Sequence, residues 1–398
     1  MSGIDVAPRV IVAGAGPSGM TAAIGLAGHG IRTTVVEPFG AVATRENLLN
    51  IAPAAIDELA RLRAGHALES MRPVSEVRID DRLTGRVRHS TYAQALEPDP
   101  TAARGQVQSL LANIDGSDER TWGRVRIADL ENALRRVAAE DHGDLVDVRY
   151  GSRLVGIDPS PSGIRARIEG PDGSHELLDG GFLVSATGGR NPLGVSARPE
   201  GPTLHFVGGD FPRSDATRTE LIRFIGGTEP RTRADAPYLT IGLHNDARGG
   251  HSLLWAQIGE DARNLDPEAL RGLVLDRGAS VGLQPRLVGE RGPIPVNVQL
   301  GATDQAVHGR MLLVGDELQV PYFPNSTGAN AGIISARNAA DTIARALDAG
   351  DDATGRILRA HAERTAAANE ALYSVNRSTL ERASRLDPEA TQGTLPTA

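Results

Sequence analysis

The chain has 398 residues, of which 50 are acidic and 42 basic, for a formal charge of −8 with histidine neutral. A chain of this length buries roughly three quarters of its unfolded surface, so it can build a core without disulfides or structural metal. The sequence contains neither Cys nor Lys, which excludes thiolate nucleophiles, iron–sulfur clusters, cysteine-bound zinc, a P-loop lysine and a lysine Schiff base.

In chain order, Arg9 to Ala13 is a short apolar run that breaks into glycines, as a buried parallel strand does. Pro17 to Gly28 turns helical, with Ala22, Ala23 and Gly25 on one side, and Arg32 to Val36 reads as a second strand ending on Glu37. Strand, helix and strand fit the roughly 30 residues of one βαβ unit. Pro53 to Leu62 is a helix candidate, Val74 to Tyr92 shifts to short alternating strands, and Arg126 to Glu140 is helical with Leu130, Leu134 and Val137 in phase. Strand patterns follow at Val146 to Tyr150, Ile164 to Ile168 and Phe182 to Ser185, then at Thr203 to Val207, Tyr238 to Leu243 and His251 to Ile258. Val307 to Val314 is predicted as one strand, Ala331 to Leu347 and Ala360 to Tyr373 as helices, and the polar stretch from Asp387 as a loose tail. No apolar run reaches the roughly 18 residues of a membrane span, no secretory leader is visible, and the arginines lie among acids. The expectation is a soluble cytoplasmic protein with no membrane span and no nucleic-acid partner.

Gly14-Ala15-Gly16-Pro17-Ser18-Gly19 is a G-x-G-x-x-G between the first strand and the first helix. Gly14 suits the tight turn, Gly16 a close backbone approach to a pyrophosphate, and Gly19 close packing of helix on strand. The helix start offers N–H groups and partial positive charge to phosphates. Glu37, 23 residues after Gly14, is placed to accept from a ribose diol with a free 2′-OH. This pattern predicts a dinucleotide and leaves FAD and NAD equally open.

Later, Arg310 to Asp316 is an apolar strand running into Gly315-Asp316, followed by Pro324-Asn325-Ser326-Thr327-Gly328-Ala329-Asn330 and a helix. On their own these residues fit a cap and a turn as well as a ligand site. Together with the first fingerprint they resemble the flavin-binding pattern of class A FAD-dependent monooxygenases, the para-hydroxybenzoate hydroxylase-like fold. The resemblance implies that Asp316 bonds the ribityl chain of FAD and that Gly328, Ala329 and Asn330 present backbone N–H groups to the N1 side of the flavin. A third stretch, Ser185-Ala186-Thr187-Gly188, lies where the family carries Asp-Gly, so Thr187 departs from the pattern. Glu317-Leu318-Gln319 likewise replaces the small residues and His that often follow Gly-Asp. The segments Thr44 to Pro53 and Ile127 to Leu134 resemble the flavin domain of MICAL proteins, and Arg45 matches a family arginine that contacts FAD.

What the resemblance implies is an α/β protein. A discontinuous Rossmann-like FAD domain would comprise residues 1–70, 120–198 and 302–350, with an inserted β-rich substrate domain at 71–119 and 199–301. A C-terminal helical segment at 351–386 and a tail at 387–398 would follow. The implied activity is a monooxygenase in which flavin, reduced by NADPH or NADH, reacts with O2 through a C4a-hydroperoxide to hydroxylate or epoxidise a small organic substrate, in keeping with specialised metabolism. The alternative is an FAD-dependent oxidoreductase, cyclase or dehydratase of the same fold without oxygen transfer. The cofactor carries the difficult chemistry, so no catalytic side chain is assigned. The ten histidines show no ligand spacing and no metal is expected. Substrate contacts are expected from Tyr238, His251, Trp255, Tyr322 and Phe323; a core or surface role for each stands beside that.

Overall fold

The computed structural model describes residues 10–45, 48–69, 71–74, 76–81, 86–90, 122–160, 163–188, 194, 198–212, 220–225, 238–244, 251–258, 296–321 and 327–385. The central sheet has six strands in the order Val307–His308, Met311–Leu313, Phe182–Ser185, Val10–Ala13, Thr33–Glu37 and Val146–Tyr150. All pair in parallel except the first, an antiparallel edge. Its four inner strands are buried on both faces, as a sheet covered on both sides requires, while the edge strand Val146–Tyr150 is partly open. Val10 and Val12 enter the core shared with the helices, while Ile11 and Ala13 face the other way, against a three-stranded antiparallel sheet formed by Arg153–Ser160, Gly163–Glu169 and His175–Gly180. Helices, parallel sheet and small sheet therefore make three layers.

On the helical side, Pro17–Gly28 packs between Ile127–Asp141 and Thr327–Ala349. Small residues set how near these helices come: a Cβ on Gly25 would stand 3.1 Å from that of Ala340. The last described helix, Asp351–Arg385, is much longer than the stretch expected from its alanines and packs along Thr327–Ala349.

An eight-stranded sheet follows the order Gln319–Val320, Val296–Ala302, Arg198–Pro212, His251–Ile258, Tyr238–His244, Glu220–Ile225, Glu76–Asp81 and Arg86–Ser90. It is antiparallel but for the pairing of Glu220–Ile225 with Glu76–Asp81. Leu48–Ile51, Trp122–Arg126 and Arg72–Val74, in that order, form a further small antiparallel sheet, so Arg72–Val74 pairs with Trp122–Arg126, a strand assigned above to the FAD-binding part. The run Val307 to Val314 is not one strand. Gly309 adopts φ 61° and folds it into the hairpin Val307–His308 and Met311–Leu313. The expected tail at 387–398 lies outside the described residues, and no described helix is long and apolar enough to cross a membrane.

His361 joins the two C-terminal helices. Its ring, buried, bonds Thr342 Oγ1 at 3.0 Å. Burial, with Arg364 and Arg345 nearby, lowers its pKa to about 4. The unfolded chain therefore takes up a proton near the ordinary value of about 6.5 that the folded protein refuses until about pH 4. Stability should fall as pH drops across that window. Urea titrations of wild type and His361→Gln at several pH values should show a flatter acid slope in the variant; parallel slopes would contradict the assignment.

Candidate functional site

The carboxyl ends of four parallel strands meet at the Gly-rich turn. Ala186 N–H donates to Ala13 O at 2.8 Å, Gly14 N–H to Val36 O at 2.8 Å and Val314 N–H to Ser185 O at 3.0 Å. Crevices at such strand ends are where open α/β sheets bind ligands. Gly14 has φ 102°, and a Cβ there would collide with the carbonyl of Ala186; one on Gly19 would run into the carbonyl of Gly14. Gly16 differs. A Cβ there would meet Glu131 Oε1 at 3.6 Å and Arg45 Nη2 at 3.8 Å, ordinary contacts, so the backbone at Gly16 is open to an approaching group. The helix beginning at Pro17 has no side-chain cap and no acid in its first turn, which suits it to an anionic ligand.

Glu37 is buried and accepts from the N–H of Ala15 at 2.6 Å and of Phe39 at 3.0 Å, which ties the Gly-rich turn to the end of the second strand. Each oxygen keeps a lone pair for a ribose hydroxyl. Arg135, not singled out by the sequence reading, clamps the same turn. It donates from Nη2 to Ala15 O at 3.3 Å and from Nη1 to Gly40 O at 3.0 Å and Ala41 O at 2.9 Å, with its guanidinium 5.4 Å from the centre of the Tyr150 ring. The one signal for it in sequence is its place on the helix one residue beyond Leu134. Arg45 is exposed on one side and paired with the buried Glu131. Burial raises the pKa of Glu131 against the opposing pull of Arg45.

The turn Gly315–Glu317 closes the site from the other end. Gly315 has φ 63°, and Ser18 Oγ stands 2.7 Å from where its Cβ would be. A Cβ on Gly332 would also strike Ser18 Oγ. Ser335 Oγ accepts from Gly315 N–H and donates to Gly332 O, both at 3.1 Å. The first fingerprint, the Gly-Asp turn and the helix Thr327–Ala349 thus meet at Ser18. Asp316 is deep in the protein mass yet open to solvent, the position of a cleft wall, and has no hydrogen-bond partner among the described residues. Desolvation raises its pKa, with Arg45 opposing and Glu317 adding to the rise. A Cβ on Gly328 would lie 3.7 Å from Asp316 Oδ1, so the helix start borders the same cleft.

The side chain of Asn330 is fully buried and pins the helix start: Oδ1 accepts from Ala52 N–H at 2.8 Å and Nδ2 donates to Asn50 O at 2.9 Å. Asn50 Oδ1 in turn accepts from the buried Arg124 at 2.8 Å. Sequence reading missed this chain because its members lie in three separate segments. Tyr238, His251 and Trp255 lie on adjacent strands of the eight-stranded sheet. Tyr322 and Phe323 lie outside the described residues.

Residues 8–204 match the family model described as an FAD binding domain. Aklavinone 12-hydroxylase RdmE of Streptomyces purpurascens is 25% identical over 353 residues, covering 81% of this chain and 59% of its own. A 3-(3-hydroxy-phenyl)propionate/3-hydroxycinnamic acid hydroxylase of Mycolicibacterium smegmatis is 26% identical over 348 residues, covering 83% of this chain and 53% of its own. The chain thus spans little more than half the length of these relatives. The structure of OxyS anhydrotetracycline hydroxylase from Streptomyces rimosus matches with a TM-score of 0.68 at 18% identity, over 97% of this chain and 70% of its own, a likeness of fold.

Gly16 and Gly19 should respond differently to a methyl group. Gly16→Ala should leave the thermal midpoint of the apoprotein within a few degrees of wild type but weaken FAD binding about tenfold or more. Gly19→Ala, which drives a Cβ into backbone, should lower the midpoint itself. Equal FAD affinity in Gly16→Ala and wild type, by fluorescence titration, would contradict the open approach at Gly16.

Proposed function

Because residues 8–204 match the family model of an FAD binding domain and the chain is similar to an aklavinone 12-hydroxylase and a 3-(3-hydroxy-phenyl)propionate/3-hydroxycinnamic acid hydroxylase, we propose that it is an FAD-dependent monooxygenase that takes electrons from NADPH or NADH and inserts oxygen from O2 into a small, electron-rich organic molecule. The observation that carries the cofactor assignment is the meeting at Ser18 of an uncapped helix start, a glycine turn carrying Asp316, whose carboxyl has no hydrogen-bond partner among the described residues, and a second helix start. FAD fits this donor set. The first-turn N–H groups near Gly16 and the guanidinium of Arg45 would hold the pyrophosphate, Glu37 the adenosine ribose, and Asp316 the ribityl hydroxyls. The start of Thr327–Ala349, with its partial positive charge, would face the side of the ring that becomes negative on reduction.

When bound, FAD supplies the redox chemistry and the activation of O2. The chain's own part is to hold the cofactor rigidly, exclude water and place the substrate. Arg135 and Glu37 fix the Gly-rich turn from two sides, and Asn330 fixes the helix start against residues 50 and 52. Ribityl hydroxyls donating to Asp316 would compensate the desolvation that now disfavours its ionised form.

Residues 71–119 and 199–301 form the substrate-facing part in this reading, with Tyr238, His251 and Trp255 among its contacts. The strand Gln319–Val320, which pairs with Gly301 and Ala302, connects that sheet to the Asp316 turn. Sequence similarity to an aklavinone 12-hydroxylase and to a 3-(3-hydroxy-phenyl)propionate/3-hydroxycinnamic acid hydroxylase favours an aromatic substrate.

The protein should purify yellow, and NADPH or NADH should bleach it anaerobically, faster with an accepted aromatic substrate present. Flavin that stays oxidised with either nucleotide, with and without a panel of phenols and polycyclic aromatics, would favour a flavoenzyme without oxygen transfer.

A further inference from the structure

Two positions that depart from the class A pattern, Thr187 and Glu317, are hydrogen-bonded to each other across 130 residues of sequence. Glu317 is fully buried. Its Oε1 accepts from Ser185 Oγ at 3.0 Å, from Thr187 N–H at 2.5 Å and from Thr187 Oγ1 at 2.6 Å. All three donors lie at the carboxyl end of the strand Phe182–Ser185, beside the Gly-rich turn, while Glu317 shares the turn of Asp316.

We propose that Glu317 is a positioning residue for the cofactor: its carboxylate clamps the end of the strand Phe182–Ser185 to the turn Gly315–Glu317 and so sets where Asp316 faces the FAD. This rests on the FAD assignment above. A buried carboxylate persists where donors surround it, and Thr supplies both a backbone and a hydroxyl donor. Aspartate at 187 would present an acceptor when ionised, facing the acceptor already at 317, so the junction holds a carboxylate on one of the two strand ends and a donor on the other. The side chain of Asp316 makes no hydrogen bond among the described residues that would hold its turn. The side-chain anchors at Gly315 and Glu317, the Ser335 contact and the clamp, therefore act on the turn beside the backbone bonds that flank it at Val314 and Leu318.

The test is FAD titration of full-length apoprotein, followed by flavin fluorescence and the visible spectrum of the bound flavin, with circular dichroism to establish folding. Glu317→Ala and Thr187→Asp should each raise the FAD dissociation constant about tenfold or more, the scale expected when charge-assisted hydrogen bonds are lost or two carboxylates are opposed. Adding Glu317→Gln to Thr187→Asp restores a donor at 317 for the new acceptor. The double variant should return to within about threefold of wild type and recover its bound-flavin spectrum, a rescue that general loss of packing does not give. Should Glu317→Ala fail to fold, the Thr187→Asp and double-variant pair decides alone. Unchanged affinity in Thr187→Asp, or failure of Glu317→Gln to rescue it, would overturn the proposal. Wild-type apoprotein that takes up no FAD would instead overturn the cofactor assignment and this inference with it.

Discussion

Ser18 stands where three stretches of backbone crowd together, and there is no room for a β-carbon on either Gly315 or Gly332 beside it. Gly14 and Gly19 are held as tightly against each other and against Ala186. This close approach is the constraint from which the rest follows. The strand ends from residues 13, 185 and 314 can converge because nothing but hydrogen atoms and one hydroxyl lies between them. The helix starts at residues 17 and 327 then open toward a common cleft. A fifth glycine, Gly16, stands apart because a β-carbon there would make only ordinary contacts with the side chains of Glu131 and Arg45 and would strike no backbone, which is the difference between a packing glycine and a ligand-facing one.

Charge around the cleft is arranged with equal economy. Glu37, Glu131, Asp316 and Glu317 gather about a site suited to an anionic cofactor, an arrangement that is tenable because each acid is answered differently. Glu37 is satisfied by backbone N–H groups, Glu131 by Arg45, and Glu317 by the donors of Ser185 and Thr187. Asp316 alone of the four faces the cleft with no hydrogen-bond partner among the described residues, and desolvation pushes its pKa up. An acid held in that state gains most from a ligand that brings hydroxyl donors. In a chain without lysine, the compensating cations are guanidiniums, and Arg135 uses its fork to bridge three carbonyls at once.

What was legible in the sequence is what short-range chemistry encodes. The βαβ unit from Val10 to Glu37 appears as an apolar run, glycines and small helical residues in order, and the strand Phe182–Ser185 and the helix Ile127–Asp141 stand nearly where periodicity puts them. The strand His175–Gly180 does not, because most of its side chains are exposed and no alternation marks it. The hairpin at Gly309 was hidden inside one apolar run, since a positive φ at glycine leaves no pattern in hydropathy. In the site, the glycine turns were readable because their spacing is mechanical. The Glu317–Thr187 clamp, the Asn330 bridge to residues 50 and 52, and the grip of Arg135 join segments from about 120 to 280 residues apart, and pairings at such range are specified by the fold as a whole.

Hydrogen–deuterium exchange of the apoprotein with and without FAD tests the convergence at Ser18 most directly. FAD should slow exchange together in three separate stretches, around residues 14–20, 315–318 and 327–332, to a common extent at saturation. Protection confined to one stretch, or located away from all three, would contradict a single site built from these strand and helix ends.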